Sequence, residues 1–224
     1  MRLCVVIPAF NESKAIGGLV KEIRQLNLAV LIVDDGSTDD TSKIAQAAGA
    51  KVLKNNINYG KGSSLILGFT YALSNGFDGV ITMDGDGQHL TQDLPLFLET
   101  FNKNNSCIII GNRMTDSRNM PLIRVLTNKF MSWLISIICK QKIPDTQCGF
   151  RLIKSEVLNK LNLKTSKFET ESEILIEAAR FGFKIESVPI KTIYQGQISQ
   201  INPFIDSFRF IRFIVKELIF RRTK

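Results

Sequence analysis

Short strand-like runs alternate with stretches of helical periodicity through the first half of the chain, and this alternation constrains the fold more than any other feature. The runs are LCVVI (3–7), VLIV (30–33), AKVLK (50–54), GVITM (79–83) and CIIIG (107–111). Each is too short for a buried helix, and most are rich in the β-branched residues that suit a strand. Between them ESKAIGGLVKEIRQL (12–26) is amphipathic, and TDDTSKIAQAAG (38–49) has Thr and Asp near its start and Gly49 as its stop. Further helices are predicted over 63–75 and 91–103. This order predicts an α/β fold with a mostly parallel, doubly wound sheet flanked by helices. Ligands of such sheets bind at the carboxyl ends of the strands, so the chemistry is sought just after residues 7, 33, 83 and 110.

Composition narrows the function classes. The 224 residues carry 44% hydrophobic side chains, which suits one globular domain with a real core. The net charge of +8 points to an anionic partner: phosphates, an acidic membrane surface or nucleic acid. No RNA- or DNA-binding motif is present, and nucleic acid would not account for acidic strand ends. Cys4, Cys107, Cys139 and Cys148 form no CxxC pair and match no zinc spacing, so they read as thiols of a reducing cytosol. His89 is the single histidine, which removes histidine-based metal sites and Ser-His-Asp triads. No secretory signal is apparent, because the apolar run at the start ends at Pro8. No segment reaches the length of a membrane span by sequence, since the apolar run 130–139 contains two serines and stops at Lys140.

Polar groups gather where the strands end. Pro8-Ala9-Phe10-Asn11-Glu12 follows the first strand, Asp34-Asp35-Gly36-Ser37 the second, Asp84-Gly85-Asp86-Gly87-Gln88 the fourth and Gly111-Asn112-Arg113 the fifth. Turn chemistry explains part of this, but not acidic clusters at several strand ends of a basic protein. Asp84 and Asp86 are two apart, so in extended backbone they point to one side and repel each other unless a cation lies near. Mg²⁺ or Mn²⁺, held by one or two carboxylates and by substrate phosphates, suits such a pair, and Gly85 permits close approach of a ligand. Asn58-Tyr59-Gly60-Lys61-Gly62 is not a Walker loop; it presents one lysine ahead of a helix, either solvated or in contact with phosphate.

Taken together, VVIPAFNE (5–12), IVDDGSTDDT (32–41), NYGKG (58–62), MDGDGQH (83–89), GNR (111–113) and DTQCGFR (145–151) resemble the family 2 glycosyltransferases with a GT-A fold. Their dolichyl-phosphate mannose synthase and polyprenyl-phosphate glycosyltransferase branch is the most similar, in order from residue 5 to about residue 203. The resemblance implies that Pro8, Phe10, Glu12 and Asp35 line a nucleoside pocket, with Phe10 replacing a tyrosine common in the family. It implies that Lys61 and Gly85 lie at the donor, that Asp84, Asp86 and Gln88 hold the metal, and that Arg113 contacts the phosphate of a lipid acceptor. Arg124 and Asn128, four apart on one predicted helix face, join Arg113. The implied donor is a nucleotide-diphosphate sugar of the GDP-mannose or UDP-glucose type, and the acceptor a polyprenyl or dolichyl phosphate. Transfer is then one in-line displacement with inversion, in which an already anionic acceptor needs positioning more than a base. A hydroxyl acceptor of a glycan would need a base, and Asp145 is the candidate, or else a brace for the 145–151 turn. Glu171 and Glu173 read as charges at the start of a helix.

The expected domain spans 1–201, followed by an amphipathic basic helix over 202–224. In that helix Phe204, Phe208, Ile211, Val215 and Leu218 keep helical spacing beside Arg209, Arg212 and Lys216. It suits either packing on the domain or a place among anionic headgroups, with Trp133 of a helix over 122–139 on the same surface. Without the C-terminal transmembrane helices of longer relatives, the expectation is a cytoplasmic enzyme, peripheral on the inner face of a membrane.

Overall fold

The computed structural model describes residues 1–103, 106–118, 120–191, 209–215 and 217. The order is β1 (Leu3–Ala9), α1 (Ile16–Gln25), β2 (Ala29–Asp34), α2 (Thr41–Ala47), β3 (Lys51–Lys54), α3 (Lys61–Ser74), β4 (Gly79–Thr82), α4 (Leu94–Lys103), β5 (Ile108–Asn112), α5 (Leu122–Cys139), β6 (Arg151–Lys154), α6 (Ser155–Leu158), α7 (Glu169–Arg180) and β7 (Ile185–Pro189). Among the described residues the strands form one seven-stranded sheet in the order β3-β2-β1-β4-β6-β5-β7. β1 pairs in parallel with β2 and β4, β2 with β3, and β5 with β7. β6 runs antiparallel to both of its neighbours, β4 and β5.

The central strands are apolar on both faces because helices cover both sides of the sheet. Val5, Val6, Ile7, Leu31, Ile32 and Val33 are fully buried. α3 lies so close to β1 that a Cβ on Gly68 would stand 2.3 Å from Val6 Cγ1, so only glycine fits there. The antiparallel strand has a functional consequence. The carboxyl ends of β1, β2, β4 and β5 share one edge, and β6 starts from that same edge, with Arg151 opposite Thr82 and Ile110. The segment 145–150 is therefore delivered to the strand ends that carry the polar clusters.

Three expectations from the sequence need correction. α5 has 18 residues with mean hydropathy 1.4, long and apolar enough to cross a membrane by length and composition, contrary to the expectation that no segment reaches that length. One face of α5 is nevertheless built into the domain: Val125, Asn128, Ser132, Ile135, Ile138 and Cys139 are buried, and Ser136 Oγ bonds the backbone N–H and carbonyl of Ile143. Second, Glu171 and Glu173 do lie near the start of α7, Glu171 in its first turn, but both are buried where plain helix-start charges would be solvated. Of the C-terminal stretch, only 209–215 and 217 fall among the described residues; Phe204, Phe208, Lys216 and Leu218 lie outside them. There Phe210, Phe213 and Ile214 are buried, while Ile211 and Val215, expected on the apolar stripe, face outward. Arg180 at the end of α7 pairs with Glu217 and fastens this stretch to the domain.

Candidate active site

The ends of β1 and β2 are laced together by the side chains that follow them. The Asn11 backbone N–H donates to Ser37 Oγ (2.9 Å), and Asn11 Oδ1 accepts from the Thr38 N–H (2.9 Å). Asn11 adopts φ +57°, the left-handed region that asparagine tolerates. The buried Asp35 uses both carboxylate oxygens on the next loop: Oδ1 accepts from Asn55 Nδ2 (2.8 Å) and the Tyr59 N–H (3.0 Å), and Oδ2 from the Gly60 N–H (2.7 Å). Asp35 thus shapes the loop that presents Lys61. Pro8 is buried in the floor of this edge, and Phe10 and Glu12 are half-buried above it.

Asp84, Asp86, Glu12 and Lys61 form the charged centre. Lys61, the first residue of α3, places Nζ 2.5 Å from Asp84 Oδ1 and 3.2 Å from Glu171 Oε1. Burial disfavours the charge on Asp84, but Lys61, then His89 and Arg113, outweigh it and hold the carboxyl well below its usual range. Burial likewise opposes the charge on Lys61, and Asp84 and Glu171 more than compensate, so its pKa is raised. Asp86 is shifted the other way. Its burial and the charge of Asp84 raise its pKa, against the Gln88 N–H that donates to Oδ1 (2.9 Å) and the positive charges of Lys61 and Arg124. Glu12 is pushed up to about 7 by burial, then by Asp86, Asp84 and Asp39. Gly85 is buried, and a Cβ there would lie 3.4 Å from both the Pro8 carbonyl oxygen and Glu12 Cγ.

His89 anchors this loop as a neutral ring. Its Nδ1 accepts from the Asp84 N–H (3.3 Å), and burial, together with Arg113 and Lys61, depresses its pKa to about 4 against the pull of Asp84. The ring packs 5.3 Å from Phe150, which stacks on Phe97 at 4.2 Å.

The strand end after β5 carries the cationic side. Arg113 grips Asp145 with two prongs, Nε to Oδ2 (2.7 Å) and Nη2 to Oδ1 (2.9 Å), while its backbone N–H donates to Oδ2 as well (3.1 Å). Asp145 is fully buried and also accepts from the Gln147 N–H (3.3 Å). Arg124, in the first turn of α5, is near enough to Asp86 to favour its charged form. Asn128 lies on the buried side of α5 with its amide toward Met120 Sδ (3.9 Å). Acidic strand ends from β1 and β4 thus face arginines from β5 and α5 across one edge of the sheet, and residues 4–161 match the sequence profile of Glycosyl transferase family 2.

The chain belongs to glycosyl transferase family 2. It is 34% identical over 223 residues, 96% of this chain and 92% of the other, to an uncharacterised protein of Methanocaldococcus jannaschii. It is 32% identical over 213 residues, 85% of each chain, to the UDP-N-acetylglucosamine–dolichyl-phosphate N-acetylglucosaminyltransferase of Methanococcus voltae. Among solved structures it superposes with a TM-score of 0.75 and 21% identity on glucosyl-3-phosphoglycerate synthase from Mycobacterium tuberculosis in complex with Mn²⁺ and UDP-glucose, covering 98% of this chain and 78% of that one. The fold is therefore that of a GT-A glycosyltransferase.

The donor set of this family 2 enzyme fits a divalent ion shared with a substrate. Among the described residues no group of three or more His, Cys, Asp or Glu side chains forms a cage. The chain offers the Asp84–Asp86 pair, with Asp86 and Glu12 both raised by burial and then by neighbouring negative charge, and a hard cation at that point would relieve the repulsion. Few protein ligands suit an ion that completes its shell with phosphate oxygens.

The residues that sequence reasoning passed over come from the 145–173 segment. Arg151 was visible only as the last letter of DTQCGFR. Its guanidinium, almost fully buried, donates to the carbonyls of Cys148 (2.8 Å), Thr146 (2.8 Å) and Glu171 (2.5 Å), tying the segment before β6 to the first turn of α7. Glu171 reaches Lys61, whereas Glu173 turns to the loop before α7, accepting from the Lys164 and Thr165 N–H groups and from Thr165 Oγ1 (2.6 Å). Gly149 gives the Asp84 carboxylate its room: a Cβ there would stand 2.8 Å from both oxygens.

Proposed function

We propose that this chain is an inverting transferase that moves a sugar from a nucleotide-diphosphate sugar to a polyprenyl or dolichyl phosphate at a membrane surface. The observation that carries the reading is the opposition, across one sheet edge, of the Asp84–Asp86 pair with Lys61 to Arg113 and Arg124. Named relatives support the acceptor class: one is the dolichyl-phosphate N-acetylglucosaminyltransferase above, and another, 28% identical over 207 residues, is the undecaprenyl-phosphate mannosyltransferase of Micrococcus luteus.

Mg²⁺ or Mn²⁺ would be held by Asp84, Asp86 and Gln88, whose backbone N–H also orients Asp86, and would supply positive charge to the leaving diphosphate. Pro8, Phe10 and Glu12 border the nucleoside, and Asp35 shapes the wall beside it through the 55–60 loop. Lys61 adds a positive charge at the donor. Arg113, oriented by Asp145, presents a rigid fork to the acceptor phosphate, and Arg124 lies beside the same path. Asn128 supports that helix from its buried side. A phosphate oxygen is anionic at neutral pH and attacks without losing a proton. The residues therefore have to align it and exclude water rather than supply a base. A hydroxyl acceptor would require such a base, and Asp145 is poorly suited, because its oxygens are engaged by Arg113 and Gln147 in a fully buried position.

Contact with the bilayer falls to the outer face of α5. Leu122, Ile123, Leu126, Phe130, Trp133 and Ile137 are exposed there. From residue 117 to 144 the chain carries Arg118, Arg124, Lys129, Lys140 and Lys142 and not one acidic residue. That composition suits a helix lying among anionic headgroups. The outward Arg209, Ile211, Arg212 and Val215 have the same character. The enzyme is then peripheral on the cytoplasmic face.

The test is an acceptor panel. Polyprenyl phosphate, the matching polyprenol and a soluble glycan are each incubated with UDP- and GDP-sugars, with Mg²⁺, Mn²⁺ or chelator. Metal-dependent transfer to the phosphate alone is expected. Transfer to a hydroxyl acceptor with none to the phosphate would overturn the reading.

A further inference from the structure

We infer that Glu171 is a positioning residue that takes Lys61 over from Asp84 when the divalent ion arrives with the donor. The inference rests on the transferase reading above and concerns this chain's own side chains.

Lys61 stands between two carboxylates from different elements, Asp84 Oδ1 at 2.5 Å and Glu171 Oε1 at 3.2 Å, with all three side chains largely shielded from solvent. The base of Lys61 is fixed. The Gly60 N–H is held by Asp35, the Ser63 N–H donates to the Ser166 carbonyl (3.1 Å), and a Cβ on Gly62 would collide with Thr170 Oγ1 at 2.0 Å. Its ammonium is the free end of a flexible four-carbon stem, able to shift between neighbours without moving the backbone. Both destinations are braced. The Asp84 carboxylate rests against Gly149, and the Glu171 carbonyl is gripped by Arg151, which also holds the carbonyls of Thr146 and Cys148 on either side of Gln147.

In this arrangement Lys61 neutralises Asp84 as a resident cation. A divalent ion that uses Asp84 competes with the ammonium and is repelled by it unless the ammonium has another anion within reach. Glu171 is that anion. A charge that served only the N-terminus of α7 would be solvated, as such first-turn carboxylates commonly are, but Glu171 is 9% exposed and directed at Lys61.

The experiment measures Mn²⁺ binding to the full chain in the presence of UDP or GDP, read as loss of the free-ion paramagnetic resonance signal. Glu171→Gln keeps the shape and removes the charge. It is expected to weaken Mn²⁺ binding roughly tenfold or more, the usual scale for a partner behind a metal ligand, with the melting temperature as a control for folding. In the Lys61→Met background the same substitution is expected to have no further effect, because no ammonium is left to accommodate. Should Glu171→Gln fold poorly, Glu171→Asp, which retains the charge, is expected to keep the unmodified affinity within about threefold. Unchanged Mn²⁺ affinity in Glu171→Gln, or an equal loss with and without Lys61, would overturn the inference while leaving the transferase reading intact. Absence of any nucleotide-linked Mn²⁺ binding by the unmodified protein would remove both.

Discussion

Substituting Asp145 by asparagine separates a brace from a base. The carboxylate is fully buried and accepts from Arg113 Nε, Arg113 Nη2 and the backbone N–H groups of Arg113 and Gln147. Asparagine retains one acceptor oxygen and turns an NH₂ group toward a guanidinium that already donates. Removing one partner of a buried ion pair costs about 3–5 kcal/mol. The Arg113 side chain is 13% exposed and recovers some hydration, which argues for the lower end of that range. For a chain of 224 residues, about 3 kcal/mol corresponds to a fall in melting temperature of roughly 6–12 °C. With Arg113 loosened, KM for the lipid phosphate should rise well above that for the nucleotide sugar, and the pH–rate profile should keep its shape. Thermal unfolding followed by steady-state kinetics with each substrate varied gives all three quantities. An unchanged melting temperature, with kcat down by orders of magnitude and one limb of the profile lost, would identify Asp145 as a base and refute this reasoning.

Three further outcomes are expected. His89 titrates near 4 in the folded chain against an ordinary 6.5, so the unfolded chain binds the extra proton between those values; the associated stability is fully present above pH 6.5 and lost toward pH 4, on the order of 3 kcal/mol. Urea unfolding at several pH values should show a shallower acid loss in His89→Gln, and an identical pH dependence would contradict the assigned neutral ring. Gly149→Ala should depress transfer by at least tenfold, because its Cβ would press on both Asp84 oxygens at 2.8 Å; full activity would show that the carboxylate has room to move. Trp133 is the single tryptophan and is 58% exposed, so its emission should shift to the blue with phosphatidylglycerol vesicles and not with neutral ones. No shift on anionic vesicles would remove α5 as the membrane contact.

The strands whose ends bear the acidic and arginine residues were legible because β1, β2, β4 and β5 are β-branched runs buried on both faces, and such runs have few other uses. β6 was not legible: RLIK opens on an arginine, and its antiparallel place between β4 and β5 depends on long-range pairing that no local pattern encodes. Asp84, Asp86, Lys61 and Arg113 were found because they follow strands closely or open a helix. Glu171 was missed because FETESE has the composition of an ordinary acidic helix start, and only the tertiary fold turns that residue toward Lys61. The C-terminal stretch shows the limit of periodicity. With phenylalanine and isoleucine on nearly every side of the helix, spacing does not select a face, and the domain took Phe210, Phe213 and Ile214 rather than Ile211 and Val215.

In the proposed mechanism a divalent ion joins the Asp84–Asp86 pair to the donor diphosphate. Anomalous diffraction from crystals grown with Mn²⁺ and the nucleoside diphosphate of the preferred donor measures this directly. A manganese peak is expected within bonding distance of an Asp86 carboxylate oxygen and of phosphate oxygens, with no such peak in Asp86→Ala crystals. A nucleotide bound away from Asp84 and Asp86, with no ion between, would contradict it.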